Sequence, residues 1–258
     1  MKKKISTLYL SIVFFFLYIP ILMVIVLSFN NARYSLLWHG ATVKWYQSLL
    51  SDNDLVKAAL HSIILGVSAS TSATVLGAIA AISLFRYRFF GRKLIHKMLF
   101  VVIIVPDIVI GIAFLLVFRF STIKPGFITT LLAHITFCMP YVFITANAQL
   151  SGVKRNIIEA AQDLGATERN IFFNILLPML YPALVSGWLL SFTLSLDDVI
   201  ISYFVTGPEF DILPLKIFSM VRLGVSPQVN ALSTVLLGIT LCIAIGAHLL
   251  TRKKAESS

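Results

Sequence analysis

Along the chain, apolar residues run in continuous blocks instead of alternating with period two, and each block could cross a bilayer of about 30 Å as a helix. Six such blocks are read, at about 8–29, 59–84, 98–118, 126–149, 182–205 and 229–250. Continuous blocks favour helices over a β-barrel, whose strands alternate apolar and polar positions. The expected fold is all-α and integral to the membrane, with six transmembrane helices in one domain over residues 1–258. The first block follows "MKKK" but exceeds a signal-peptide core and precedes no small-residue cleavage site, so it is read as a retained helix.

Polar positions inside the blocks are few and therefore informative. In the second block, "SASTSAT" (68–74) with Gly66 and Gly77 predicts a close interhelical seam. The third carries "VPDIVIG" (105–111), which places Pro106 and Asp107 near mid-membrane, where a freed carbonyl must face protein or a cavity. The fourth holds Pro140 and His134, the latter expected as a satisfied packing residue. The fifth contains "SFTLSLDDVIISYFVTG" (191–207), with two adjacent acids.

At 100° per residue, Ser191, Ser195, Asp198 and Ser202 fall on one stripe. Ser186, Thr193 and Asp197 form another, roughly 120° away. A central aspartate costs about 2.5–3.5 kcal/mol to insert, so intramembrane acids are functional candidates by default. The Asp198 stripe, with Asp107, is assigned to a translocation path and Asp197 to an interhelical contact. The alternative is that both carboxylates pair with Arg222, Lys216 or backbone amides and hold the outer end of the bundle together.

Residues 151–178, between the fourth and fifth blocks, are amphipathic. Val153, Ile157, Ala161 and Leu164 predict one apolar helical stripe. Gly165 permits a reversal, Thr167 can cap a second short helix with Glu168 in its first turn, and Pro178 is expected to end it. An external segment, about 30–58, carries Trp38 and Trp45 as interfacial anchors or as a docking surface.

With 58% hydrophobic and 12% charged residues, the composition excludes an ordinary soluble domain, which carries about 25% charged. A net charge of +10 suggests nucleic acid only until its distribution is read. With the N-terminus inside, Lys2, Lys3, Lys4, Arg86, Arg88, Arg92, Lys93, Lys97, Lys154, Arg155, Arg169, Arg252, Lys253 and Lys254 are cytoplasmic. Arg33, Lys44, Lys57, Arg119, Lys124, Lys216 and Arg222 then lie outside. This bias orients the chain with both termini cytoplasmic, and its charges meet lipid headgroups with no nucleic acid implied. Cys138 and Cys242 sit in apolar blocks and read as packing residues. There is no G-x-x-x-x-G-K-[ST], no H-E-x-x-H and no other catalytic constellation, so no bound cofactor or metal is expected and the chain cannot hydrolyse ATP alone.

Glu159-Ala160-Ala161, three residues, Gly165, nine residues, Ile175, one residue and Leu177-Pro178 spell EAA-x3-G-x9-I-x-LP. This resembles the coupling loop of permease subunits of ABC importers. "FRYRFFG", "LFVVIIVPDIV", "AHITFCMPYV", "SFTLSLDDVIISYFVTGP" and "GVSPQVNALST" extend the resemblance, over nearly the whole chain, to permeases of bacterial spermidine/putrescine importers. The resemblance implies an inner-membrane complex with a PotB-like second permease, two PotA-like ATPase subunits that hydrolyse ATP with Mg²⁺, and a PotD-like periplasmic polyamine-binding protein. It also implies that Glu159, Ala160, Ala161 and Gly165 shape and dock the loop on the ATPase, with Ile175, Leu177 and Pro178 completing the motif. The alternatives are another small solute as cargo, or a secondary transporter or channel.

Overall fold

The computed structural model describes residues 2–32, 37–153, 155–222, 224 and 227–256. The readings at Arg33 and Lys154 lie outside the described residues. So do those on the side chains of Lys2, Lys3, Lys4, Arg155, Cys242, Arg252, Lys253 and Lys254. The helices in chain order are α1 Lys2–Leu27, α2 Lys44–Ser51, α3 Asn53–Arg86, α4 Arg92–Ile104, α5 Asp107–Phe120 and α6 Phe127–Ser151. They continue as α7 Arg155–Asp163, α8 Glu168–Asn170, α9 Leu177–Asp197, α10 Ile200–Val205, α11 Leu213–Arg222 and α12 Pro227–Glu256, with a π-helical turn, Ile171–Leu176, joining α8 to α9.

Among the described residues, four helical runs are long and apolar enough to cross a membrane: Tyr9–Ser28, Asn53–Arg86, Phe127–Ser151 and Glu168–Asp197. A fifth span exists if α4 and α5, bent by 111° at their junction, count together. The described apolar part of α12, Pro227–Leu241, is shorter than a full crossing. The all-helical membrane class therefore stands, with four to five candidate spans among the described residues where six are expected.

Two blocks differ from the continuous helices expected. The third breaks at Val105, extended at φ −69°, ψ 131°. Pro106 follows and disfavours helical geometry in the residue before it. The fifth starts earlier and ends sooner, running from Glu168 to Asp197. Pro178 does not end the segment before it. The preceding π turn, closed by Leu177 N–H donating to Phe172 O, carries the helix through, so the missing proline donor falls at a widened turn.

The chain forms two compact groups of residues, 57–215 and 1–56 with 216–258. In the second group α1 and α2 each pack on α12. Trp45 Nε1–H donates to Asn30 O at 2.8 Å, while Trp38 is exposed. In the first group α6 is central. One core cluster joins Ala81, Ile82 and Leu84 of α3 to Phe143, Ala146 and Leu150 of α6 and to Leu180 of α9. A second joins Ala73 of α3 and Phe118 of α5 to Ala133, Phe137, Cys138 and Val142 of α6 and to Ile201 and Val205 of α10.

Val142 explains two glycines. A Cβ on Gly77 of α3 would lie 2.8 Å from Val142 Cβ. One on Gly187 of α9 would lie 2.7 Å from Thr145 Oγ1 and 3.3 Å from Val142 Cα. Only glycine lets both helices approach α6 at this level. The small-residue seam expected on α3 is present, with Ala69, Ser70 and Ala73 fully buried.

Candidate functional site

The acids of the fifth block lie where the helix stops. α9 ends at Asp197; Asp198 is extended at φ −67°, ψ 121°, and α10 restarts at Ile200. A helix start leaves backbone N–H groups without carbonyl partners, and Asp198 supplies the missing acceptors. Its Oδ1 accepts from Ile201 N–H at 3.2 Å and its Oδ2 from Ser202 N–H at 2.8 Å. Ser202 Oγ–H donates to Oδ2 as well, at 2.8 Å.

From α6, His134 reaches the same cluster. Its Nε2 lies 2.9 Å from Ser202 Oγ and 3.4 Å from Asp198 Oδ2, and its Nδ1 lies 2.7 Å from Ser195 Oγ. Ser202 Oγ gives its only hydrogen to Asp198, so it accepts from His134 Nε2–H; Nδ1 pairs with Ser195 Oγ. The proton on Nε2 follows from donor counting. The rest of the α6 seam is also polar. Thr129 Oγ1–H donates to Val205 O at 2.8 Å, and Cys138 Sγ lies 3.5 Å from Ser191 O.

Both expected polar stripes exist along α9, but with opposite exposures. Ser191, Ser195 and Ser202 are buried against α6, and the Asp198 side chain is 5% exposed. Ser186, Thr193 and Asp197 are exposed. Asp198 thus offers almost no surface to a solute, and Asp197, expected in an interhelical contact, has an open face. The helix is not continuous through 205. The break at Asp198 turns its carboxylate back onto α10 instead.

Asp107, half-buried in the first turn of α5, and Asp197 lie within electrostatic reach of each other and of Asp198. Tyr141 of α6 is within reach of Asp107. Asp107 and Asp197, half-buried and exposed, thus each stand at the edge of a helix break.

In the loop 151–178, Gly165 has φ +79°, a left-handed conformation that a side chain disfavours. Ala166 N–H donates to Ala161 O and Gly165 N–H to Gln162 O, the paired bonds of a Schellman ending. Thr167 Oγ1 caps α8 by accepting from Asn170 N–H at 3.3 Å. Glu168 joins Arg86 at the end of α3 in an ion pair and accepts from Gln162 Nε2–H at 3.2 Å.

Of the expected apolar stripe, Val153 and Ala161 turn inward, whereas Ile157 and Leu164 are exposed, Leu164 at 90%. Ile158, buried at 3%, takes the inward position. Val153 precedes α7, so a phase carried through it does not hold along that helix. Among the motif residues, Glu159, Ala160, Gly165 and Pro178 are exposed, Leu177 is half-buried, and Ala161 and Ile175 pack on the core cluster. The sequence reading missed the link from His134 to Asp198 and the Arg86–Glu168 pair. Nothing in the spacing joins residues 64 or 82 positions apart.

Comparison with known proteins agrees with this architecture. The chain is 47% identical to the spermidine/putrescine transport system permease protein PotC of Escherichia coli (strain K12), over 97% of this chain and 95% of that one. It is 46% identical to the protein of the same name in Haemophilus influenzae, over 95% of each. Identity to the putrescine transport system permease protein PotI of Escherichia coli (strain K12) is 43%, over 87% of this chain and 83% of that one. Among solved structures, a bacterial ABC transporter involved in the import of the acidic polysaccharide alginate superposes with a TM-score of 0.74 at 16% identity, over 96% and 95% of the two chains. An amino acid ABC transporter superposes at 0.61 with 18% identity, over 82% and 99%. These two likenesses establish the shared fold. Residues 73–254 match the binding-protein-dependent transport system inner membrane component, and the chain belongs to that family of multi-pass inner-membrane permeases.

Proposed function

We propose that this chain is a permease subunit of an ATP-driven importer that moves spermidine and putrescine across the bacterial inner membrane. The observation that carries the cargo is the 47% identity, over 97% of this chain, to a permease named for spermidine and putrescine, and the carboxylates of Asp107 and Asp197, set at two helix breaks, suit a cationic solute. A protonated polyamine leaving water lacks counter-ions, and a carboxylate about 4 Å from an ammonium recovers about 4 kcal/mol at an effective dielectric of 20. The carboxyl end of α9 adds to this, because the last carbonyls of a broken helix present negative potential to a cation. Similarity to permeases named for spermidine and putrescine supports the same cargo.

In this reading the path follows Ser186, Thr193 and Asp197 with Asp107. Asp198, Ser191, Ser195 and Ser202 form the buried support behind it. The fold is the six-span type I importer arrangement, both termini are cytoplasmic, and α7 and its turn are the coupling loop. Glu159 and Ala160, with exposed Ile157 and Leu164, face the ATPase, while Ala161, Ile175 and Leu177 join the loop to the membrane helices. The partners are a PotB-like permease, two PotA-like ATPases that bind ATP and Mg²⁺, and a PotD-like periplasmic polyamine-binding protein. This chain binds no cofactor.

Expression with its genomic neighbours in a strain unable to import polyamines tests the proposal. Restored spermidine uptake, with an ATPase co-purifying, is the expected result. Uptake of a different solute alone would assign another cargo, and uptake without an ATPase would assign a secondary transporter.

A further inference from the structure

We propose that His134 is a positioning residue for transport: it clamps both sides of the α9–α10 break and so aims Asp197 at the polyamine path. The inference rests on the polyamine reading above. α9 ends at Asp197, and the first donors of α10 bond to the Asp198 carboxylate. With the backbone ladder interrupted, the direction of the chain at Asp197 depends on side chains.

One imidazole spans the interruption. Nδ1 holds Ser195, before the break, and Nε2 holds Ser202, after it. His134 is 1% exposed and sits on α6, a helix that is itself unbroken. It therefore refers both halves of the broken run to one rigid neighbour. Among the described residues the Asp197 carboxylate bonds only to its own backbone N–H, so its direction follows the local backbone. That backbone is held by His134.

The expected effect is on substrate handling, with the fold retained. In the full complex, His134→Leu should raise the apparent KM for spermidine about tenfold and leave subunit co-purification unchanged. His134→Gln, which keeps one polar arm, should recover part of the loss. A second readout follows the geometry itself. Asp197→Cys, with and without His134→Leu, is labelled by a cationic thiol reagent, and Thr193→Cys, one turn earlier on the same exposed face, serves as control. Labelling at 197 should change several-fold while labelling at 193 does not.

If His134→Leu fails to assemble, Ser195→Ala and Ser202→Ala each remove one arm and are read in the same way. An unchanged KM and unchanged labelling at 197 in an assembled complex would overturn the proposal. So would equal changes at 193 and 197, since these mean general loosening of α9. Absence of spermidine transport by the parental complex would sink the polyamine reading instead, and the labelling arm would still decide whether the clamp exists.

Discussion

Asp197 and Asp198 are neighbours in sequence with opposite environments, and their substitution by asparagine separates two kinds of cost. Asp198→Asn replaces a carboxylate oxygen with an NH₂ group, which leaves donors of Ile201, Ser202 or His134 facing another donor. Burial makes that mismatch worth about 1–3 kcal/mol, so the purified complex should melt lower and assemble less well. Asp197→Asn leaves packing intact because the side chain is exposed. It should assemble normally and lose spermidine uptake by at least about tenfold, since a third of the roughly 4 kcal/mol attraction, about 1.4 kcal/mol, is already a factor of ten. Uptake and co-purification measured together check both. The two polar stripes of α9 were legible from phase alone. Which one faces outward was not, because phase relates faces to each other and not to neighbours. Nor did the sequence announce the break, since neither proline nor glycine stands at Asp198 or Val199.

The helical elements give two further expectations. At Gly187 a Cβ would meet Thr145 Oγ1 and the Val142 backbone, so Gly187→Ala must push α9 from α6. Overpacking of this kind costs about 1–3 kcal/mol, seen as a lower melting temperature in detergent. At Gly165 nothing would crowd a Cβ, but φ is +79°, so Gly165→Val strains only the turn. Together with Glu159→Lys it should leave the chain inserted while reducing ATPase engagement and binding-protein-stimulated hydrolysis. Normal stimulation in both variants would remove the coupling role from α7. The motif spacing alone makes this loop legible, down to the Gly165 reversal and the Thr167 cap. Its inward face is not, because Ile157 and Ile158 are both apolar and the helix begins only after Val153. Pro178 misleads for a similar reason: hydropathy does not distinguish a π turn from a helix end.

For the whole molecule, hydrophobic blocks made the membrane class plain, and charge asymmetry supplied an orientation. The break at Val105 and the continuity of the fifth run through Pro178 were hidden, since apolar content is the same whether the helix breaks or continues. Orientation is testable in spheroplasts: cysteines placed at Asn31 and Glu209 should react with an impermeant reagent, and one at Arg92 should not. The central claim, an ATP-driven polyamine permease, is tested most directly by reconstitution. The complex is placed in proteoliposomes with ATP and Mg²⁺ enclosed and the polyamine-binding protein outside, and luminal labelled spermidine is measured over time. Spermidine should accumulate above its external concentration, and omission of ATP or of this chain should abolish accumulation. Equilibration without ATP, or no spermidine uptake by an assembly that hydrolyses ATP and imports another solute, would contradict the account.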